Sequence, residues 1–169
     1  LMRRQRWAAR ARRGLALALG RVHGFVATHS GWVLRLYRTP VGLRVVAIHR
    51  RFSPDEPAVT ELFAALGADR DYVRLCRLQR CFRARLSAKP WRIGVTDRLR
   101  PRPGVWPITD PEKLERRREW VGRYEARARG FAACRFLEEI GDGFGDPKAA
   151  DVVRWHDELS GARSGLPLA

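Results

Sequence analysis

Gly31-Trp32-Val33-Leu34-Arg35-Leu36-Tyr37-Arg38 and Leu43-Arg44-Val45-Val46-Ala47-Ile48-His49-Arg50 flank the short segment Thr39-Pro40-Val41-Gly42. Both runs are rich in β-branched, aromatic and long aliphatic residues, and the segment between them carries a Pro and a Gly. Together they predict a β-hairpin.

The elements downstream follow from local chemistry. Ser53-Pro54-Asp55-Glu56 has a cap residue with Glu three positions on. Val59, Leu62, Phe63 and Leu66 then recur at i, i+3, i+4 and i+7, the spacing of one helix face, and Gly67 stops that helix. Asp69 is placed to cap a second short helix containing Tyr72, Val73 and Cys76. Phe82-Arg83-Ala84-Arg85-Leu86 alternates strictly and predicts a third strand. Residues 87–109 are loop-like, with Pro90, Pro101, Pro103 and Pro107. Asp110-Pro111 opens a long helix expected to reach about Ile140, and Asp146-Pro147 opens another that ends at Ser160 before Gly161. Upstream, residues 1–30 are expected to form a basic arm. Its apolar run, Leu15 to Leu19, is too short for the core of a secretory signal.

The expected fold class is α+β: a small antiparallel sheet of at least three strands, helices packed on one face, and a C-terminal helical pair. The expected organisation is an arm over 1–30, one domain over 31–160 and a frayed tail over 161–169.

Charge is distributed unevenly. Residues 1–109 hold 23 Lys+Arg against 6 Asp+Glu, and residues 110–169 hold 11 against 12, giving +17 and −1. Removing residues 1–30 takes away seven Arg and still leaves +9, so the excess belongs to the folded part as well. Such asymmetry points to a polyanionic partner: nucleic acid, ribosome or an anionic membrane surface. No run of 18 apolar residues exists, so a membrane-spanning role is not expected. Three Cys, an odd number without paired spacing, argue against a disulfide framework and for a reducing, cytoplasmic location.

Arg35, Arg44, Arg83 and Arg85 lie on the three strand candidates, none of which contains Asp or Glu. If the second sheet face is open, these guanidinium groups share it and leave a positive surface suited to phosphate. The bland alternative is ordinary solvated arginines, some paired with carboxylates. Lys89, Trp91 and Arg92 add cations beside an aromatic ring, as do Arg100 and Arg102 near Trp106, a combination that suits single-stranded nucleic acid. Trp91 and Trp106 have a more ordinary role available, plugging the edge of the core.

Catalytic signals are weak. Asp69-Arg70-Asp71 has the form of a metal-binding pair, yet Asp69 reads first as a helix cap. Cys76 and Cys81 are spaced too widely for an ordinary zinc pair. His23, His29, His49 and His156 show no ligand spacing, and His49 has no visible partner for base chemistry. Gly141-Asp142-Gly143-Phe144-Gly145-Asp146 is glycine-rich, but its two Asp repel phosphate, so a turn is expected. No metal, cofactor or catalytic constellation is expected.

Tyr37 to Arg44, then Leu66 to Asp69 with Tyr72 to Cys76, then Cys81-Phe82-Arg83-Ala84-Arg85-Leu86-Ser87-Ala88-Lys89-Pro90-Trp91-Arg92 resemble, in order and spacing, a bacterial protein family without an assigned activity. The resemblance covers roughly residues 31–109 and implies that hairpin, short helices and Arg-rich segment form one unit. The hairpin around Thr39-Pro40-Val41-Gly42, followed by a helix, also resembles in architecture the archaeo-eukaryotic primase-polymerase fold. That family holds its metals with a carboxylate pair on a strand, and the strand candidates here lack one.

The sequence therefore leads to a nucleic-acid or phosphate-polymer binding module using Arg35, Arg44, Arg83, Arg85, Lys89, Trp91 and Arg92. Two alternatives stand beside it: a primase-polymerase-like or other nucleotide-handling enzyme, and an accessory protein that docks an acidic partner.

Overall fold

The computed structural model describes residues 2–100 and 106–169, with side chains described from residue 13 onward among the N-terminal residues. Among these residues the architecture is α+β, with a three-stranded antiparallel sheet in the order β2-β1-β3. The elements are α1 (Met2–Thr28), β1 (Val33–Arg38), β2 (Leu43–Ala47), α2 (Pro57–Leu66), α3 (Arg70–Gln79), a 3-10 turn (Pro90–Ile93), α4 (Pro111–Ala128), β3 (Arg135–Gly141) and α5 (Pro147–Ser160). The Pro101–Pro103 part of the predicted loop lies outside the described residues.

The hairpin forms as read, with Arg35 opposite Val46 and Tyr37 opposite Arg44. The Thr39 amide donates to the Gly42 carbonyl at 2.9 Å across the turn. Gly67 ends α2 in the left-handed region at φ 63°, and the side chains of Asp69, Asp110 and Asp146 cap α3, α4 and α5. These features depend on a few adjacent residues, which is why local pattern finds them.

The third strand is not Phe82–Leu86 but Arg135–Gly141, which pairs with β1 on the side away from β2. The long helix accordingly stops at Ala128 instead of running to Ile140, so β3 separates the two C-terminal helices. Phe136 continues the helical spacing of the α4 stripe, and a spacing of four fits strand and helix alike, so local pattern does not separate them. Within β3 a bulge follows: Leu36 faces Glu138 and Tyr37 faces Phe136, leaving Leu137 with no opposite residue and putting Phe136 and Ile140 on opposite faces.

One sheet face carries Leu34, Leu36, Val45, Ala47 and Ile140. It packs against Leu19, Val22, Phe25 and Val26 of α1 and Leu62 and Leu66 of α2. The C-terminal third of α1 is thus core, and its register is fixed by His23 to Glu138 at 3.0 Å and His29 to Glu61 at 3.1 Å. On the other face Tyr37 packs with Cys134, Ala162 and Phe136. The tail expected to fray is docked there instead: Ala132 N–H donates to Pro167 O at 2.9 Å, and Ala162 and Ala169 are buried.

The glycine-rich loop is a turn between β3 and α5. Asp142 accepts from Gly31 N–H at 2.7 Å and from Ser30 Oγ at 3.0 Å, tying the entrance of β1 to the exit of β3. The approach is close enough that a Cβ on Gly141, at φ 126°, would lie 1.9 Å from the Trp32 carbonyl oxygen. Gly20 in α1 has nothing within 4 Å of such a Cβ. Gly141→Ala is therefore expected to lower unfolding free energy by at least about 2 kcal/mol. Gly20→Ala should instead raise it by about 0.5–1 kcal/mol; urea denaturation of both variants checks the contrast.

Candidate nucleic-acid interface

The sequence-predicted site residues separate into two environments. Arg35 lies inside. Its side chain is 11% exposed, with Nη1 on Glu139 at 2.7 Å, Nη2 on Asp157 at 2.8 Å and Nε on the Tyr37 hydroxyl at 2.9 Å. Its guanidinium also sits 4.5 Å from the Phe136 ring centroid. Arg35 is thus neutralised by the chain's own acids, and the sheet face it was expected to leave positive is covered around it by α5.

Asp157 is the centre of this arrangement. Oδ1 accepts from the Tyr37 hydroxyl at 2.7 Å and from His156 Nδ1 at 3.0 Å, while Oδ2 accepts from Arg35, with Arg163 Nε at 3.5 Å. Burial disfavours its charge, but the hydrogen bonds from Tyr37 and His156 and the charge of Arg35 outweigh burial and hold the carboxyl below its ordinary value. Burial and the hydrogen bond to Asp157 push the Tyr37 phenol up to about 12.

Arg44 extends this network outward. Nη1 reaches His156 Nε2 at 2.7 Å and Nη2 donates to the Arg85 carbonyl at 2.8 Å. Arginine offers only donors, so Nε2 of His156 accepts and the imidazole is neutral, with its proton on Nδ1 facing Asp157. Burial, helped by the charge of Arg44, lowers the His156 pKa. Cys134 Sγ lies 3.9 Å from the same Nε2. Cys, His and Asp are the residue types of a nucleophilic triad, but this thiol is fully buried and Nε2 is already occupied by Arg44. No lone pair is left on the imidazole to take the thiol proton, so the cluster is structural.

Arg83, Arg85, Lys89, Trp91 and Arg92 belong to a second environment. The segment carrying them alternates like a strand, yet its backbone is held by side chains: Arg44 on the Arg85 carbonyl, and the Tyr124 hydroxyl on the Ala88 carbonyl at 2.7 Å. The following turn is anchored from beneath by buried Ala88, Ile93 and Val95, which pack with Trp120 and Tyr124 of α4. Arg127 Nη1 donates to the Ile93 carbonyl at 3.2 Å. Between these anchors Trp91 is 62% exposed, with Lys89 Nζ 5.0 Å from its ring centroid. Trp106 is also exposed, so neither indole plugs the core. Among the described residues, Arg83, Arg85, Lys89 and Arg92 form no ion pair with a carboxylate.

The carboxylates do not assemble a metal site. Asp69 spends its side chain on the Tyr72 amide at 2.8 Å, and Asp71 is exposed with Arg74 at 3.9 Å. The missed strand β3 does carry Glu138 and Glu139, but adjacent strand residues face opposite sides. Glu138 meets His23, and Glu139 meets Arg35. Among the described residues no group of three His, Cys, Asp or Glu is placed to hold a metal ion. Sequence reading also missed Tyr37, His156 and Asp157 as a unit, because Arg35 and Asp157 are 122 positions apart.

Removing Asp157 strands a buried guanidinium, so Asp157→Ala should cost about 3 kcal/mol or more of unfolding free energy. Glu139 is 44% exposed, and Glu139→Ala should cost under about 1 kcal/mol. Urea titration of both variants measures the difference. His156 also makes stability pH-dependent. Its folded pKa lies below the ordinary 6.5, so its contribution is present above pH 6.5 and is lost as pH falls from there to the folded pKa. His29 acts in the opposite sense, since its bond to Glu61 raises its pKa. The readout is therefore a difference: His156→Gln should lose less stability than wild type between pH 7.5 and about 5.5, a window set by the ordinary His value.

The chain matches no protein-family model, no curated protein and no solved structure.

Proposed function

We propose that this chain is a nucleic-acid binding module whose contact surface is the segment from Arg83 to Arg92. The observation that carries this reading is Trp91, an exposed indole on a turn clamped at both ends, flanked by cations with no acidic partner among the described residues. An aromatic face held rigidly in water costs little to order on binding, and it offers a stacking platform that every base can use. Arg83, Arg85, Lys89 and Arg92 supply donors to the phosphate backbone, with affinity in place of sequence readout. Arg35 and Arg44 serve this surface indirectly: Arg35 anchors the sheet to α5, and Arg44 carries that anchorage to the Arg85 carbonyl.

The primase-polymerase alternative loses its motive, because Asp69 is committed to a cap and the two strand carboxylates point apart. Among the described residues no helix is long and apolar enough to cross a membrane. The three cysteines are free thiols, which fits a reducing compartment, and we place the chain in the cytoplasm on that ground.

Fluorescence anisotropy with a labelled uridine dodecamer tests the reading. Affinity should fall steeply between about 50 and 200 mM salt. Replacing Arg83, Arg85 and Arg92 together by Ala should flatten the log–log salt slope by about 2, at roughly 0.7 per phosphate contact on a single strand. Trp91→Ala should cost about 1–3 kcal/mol of binding, with Trp91→Phe recovering part of it. Absence of binding at low salt, or an unchanged slope in the triple variant, overturns the proposal.

A further inference from the structure

A second basic surface is the groove between α2 and α3. It has a volume of about 550 Å³ and an apolar floor that includes Phe63, Ala64 and Val73. Its rim carries Arg70, Arg74 and Arg77. Those three occupy i, i+4 and i+7 of α3, a single stripe two turns long and roughly 10 Å from end to end. Opposite the stripe, Cys76 is buried and fixes how α3 is rotated. Leu78 lies at the mouth of the groove, 69% exposed.

The chain barely neutralises this rim. Among the described residues, the one carboxylate in an ion pair with these three arginines is Asp71, 3.9 Å from Arg74 with both side chains largely exposed. Arg77 donates to the Thr60 hydroxyl at 3.2 Å, a neutral partner. An apolar trough edged by uncompensated guanidinium groups calls for an occupant with apolar knobs and flanking carboxylates. Nucleic acid fits it poorly. The floor is built from small and branched aliphatic side chains, and its one ring, Phe63, already meets Tyr72 and Phe82 edge-on at 6.0 and 6.4 Å. A single half-buried ring gives a run of bases little to stack on.

We infer that this groove docks an acidic amphipathic helix of a partner protein. Leucine- or phenylalanine-type side chains enter between α2 and α3, and carboxylates at i, i+4 and i+7 meet Arg70, Arg74 and Arg77. Docking of an amphipathic helix into an apolar groove is a recurring recognition mode, and complementary charge sets its register and speeds encounter. The groove adjoins the segment proposed for nucleic acid at the Phe63–Phe82 contact but shares no lining residue with it, so substitutions distinguish the two.

The test uses the full chain and a fluorescein-labelled acidic peptide that places Leu on one helical face and Glu at i, i+4 and i+7 beside it. A scrambled peptide of the same composition is the control. The patterned peptide should bind about tenfold more tightly than the scrambled one, and Arg70→Glu with Arg74→Glu should erase that preference. Leu78→Ser should weaken it, whereas Trp91→Ala should leave it intact. All four positions are exposed, and thermal melts of the variants confirm folding. Equal affinity for the two peptides overturns the inference, as does a preference that survives charge reversal. Displacement of the peptide by the uridine dodecamer assigns the groove to nucleic acid. Displacement by unlabelled protein assigns it to a second copy of this chain, and either result overturns the inference too.

Discussion

A single carboxylate, that of Asp157, is the constraint on which the second layer of this molecule depends. It accepts from Tyr37 and His156 on one oxygen and from Arg35 on the other. Two strand residues and a helix residue are thereby held to one point. Burying an arginine is costly unless its charge is met and its donors are used, and Asp157 with Glu139 does both for Arg35. The same carboxylate fixes the tautomer of His156, which lets His156 accept from Arg44, which in turn holds the Arg85 backbone. A continuous chain of contacts thus runs from the middle of the sheet to the segment that presents Trp91.

This network sorts the arginines by what surrounds them. Those on β1 and β2 became internal struts, joined to acids, a histidine and a carbonyl. Those on α3 and on the segment after it stayed outside. Beyond the seven Arg of residues 1–30, the net charge of the first two-thirds of the chain therefore lies more on α3 and the Arg83–Arg92 surface than on the sheet. Two kinds of exposed basic surface result: one has an aromatic platform, the other an apolar trough. The first is the surface proposed for nucleic acid, and the second the one proposed for a helix with an acidic flank.

The parts legible in the sequence are those decided within a few residues. The hairpin, the left-handed stop at Gly67 and the capping aspartates at 69, 110 and 146 all stand where local chemistry puts them. Contacts across the chain were not legible. Phe136, in step with the α4 stripe, disguised β3 as helix, and the 82–86 alternation imitated a strand although its Arg85 carbonyl is held by the Arg44 side chain. The candidate site was half legible for the same reason. Lys89, Trp91 and Arg92 lie within one short turn and were read together, whereas the fate of Arg35 was decided by a residue near the other end of the chain.

The docking of residues 160–169 has one more consequence. The amides of Ala133, just before β3, and of Phe136, near its start, are satisfied by the carbonyls of Ser160 and Ala162. Further back, Ala132 and Leu168 form a parallel bridge. A bare strand margin is a template for pairing with another molecule, and proteins commonly cover such margins to avoid aggregation. Here the closing residues act as a cover strip over the start of the outermost strand, so their removal would leave a row of unpaired amides open to intermolecular β-augmentation.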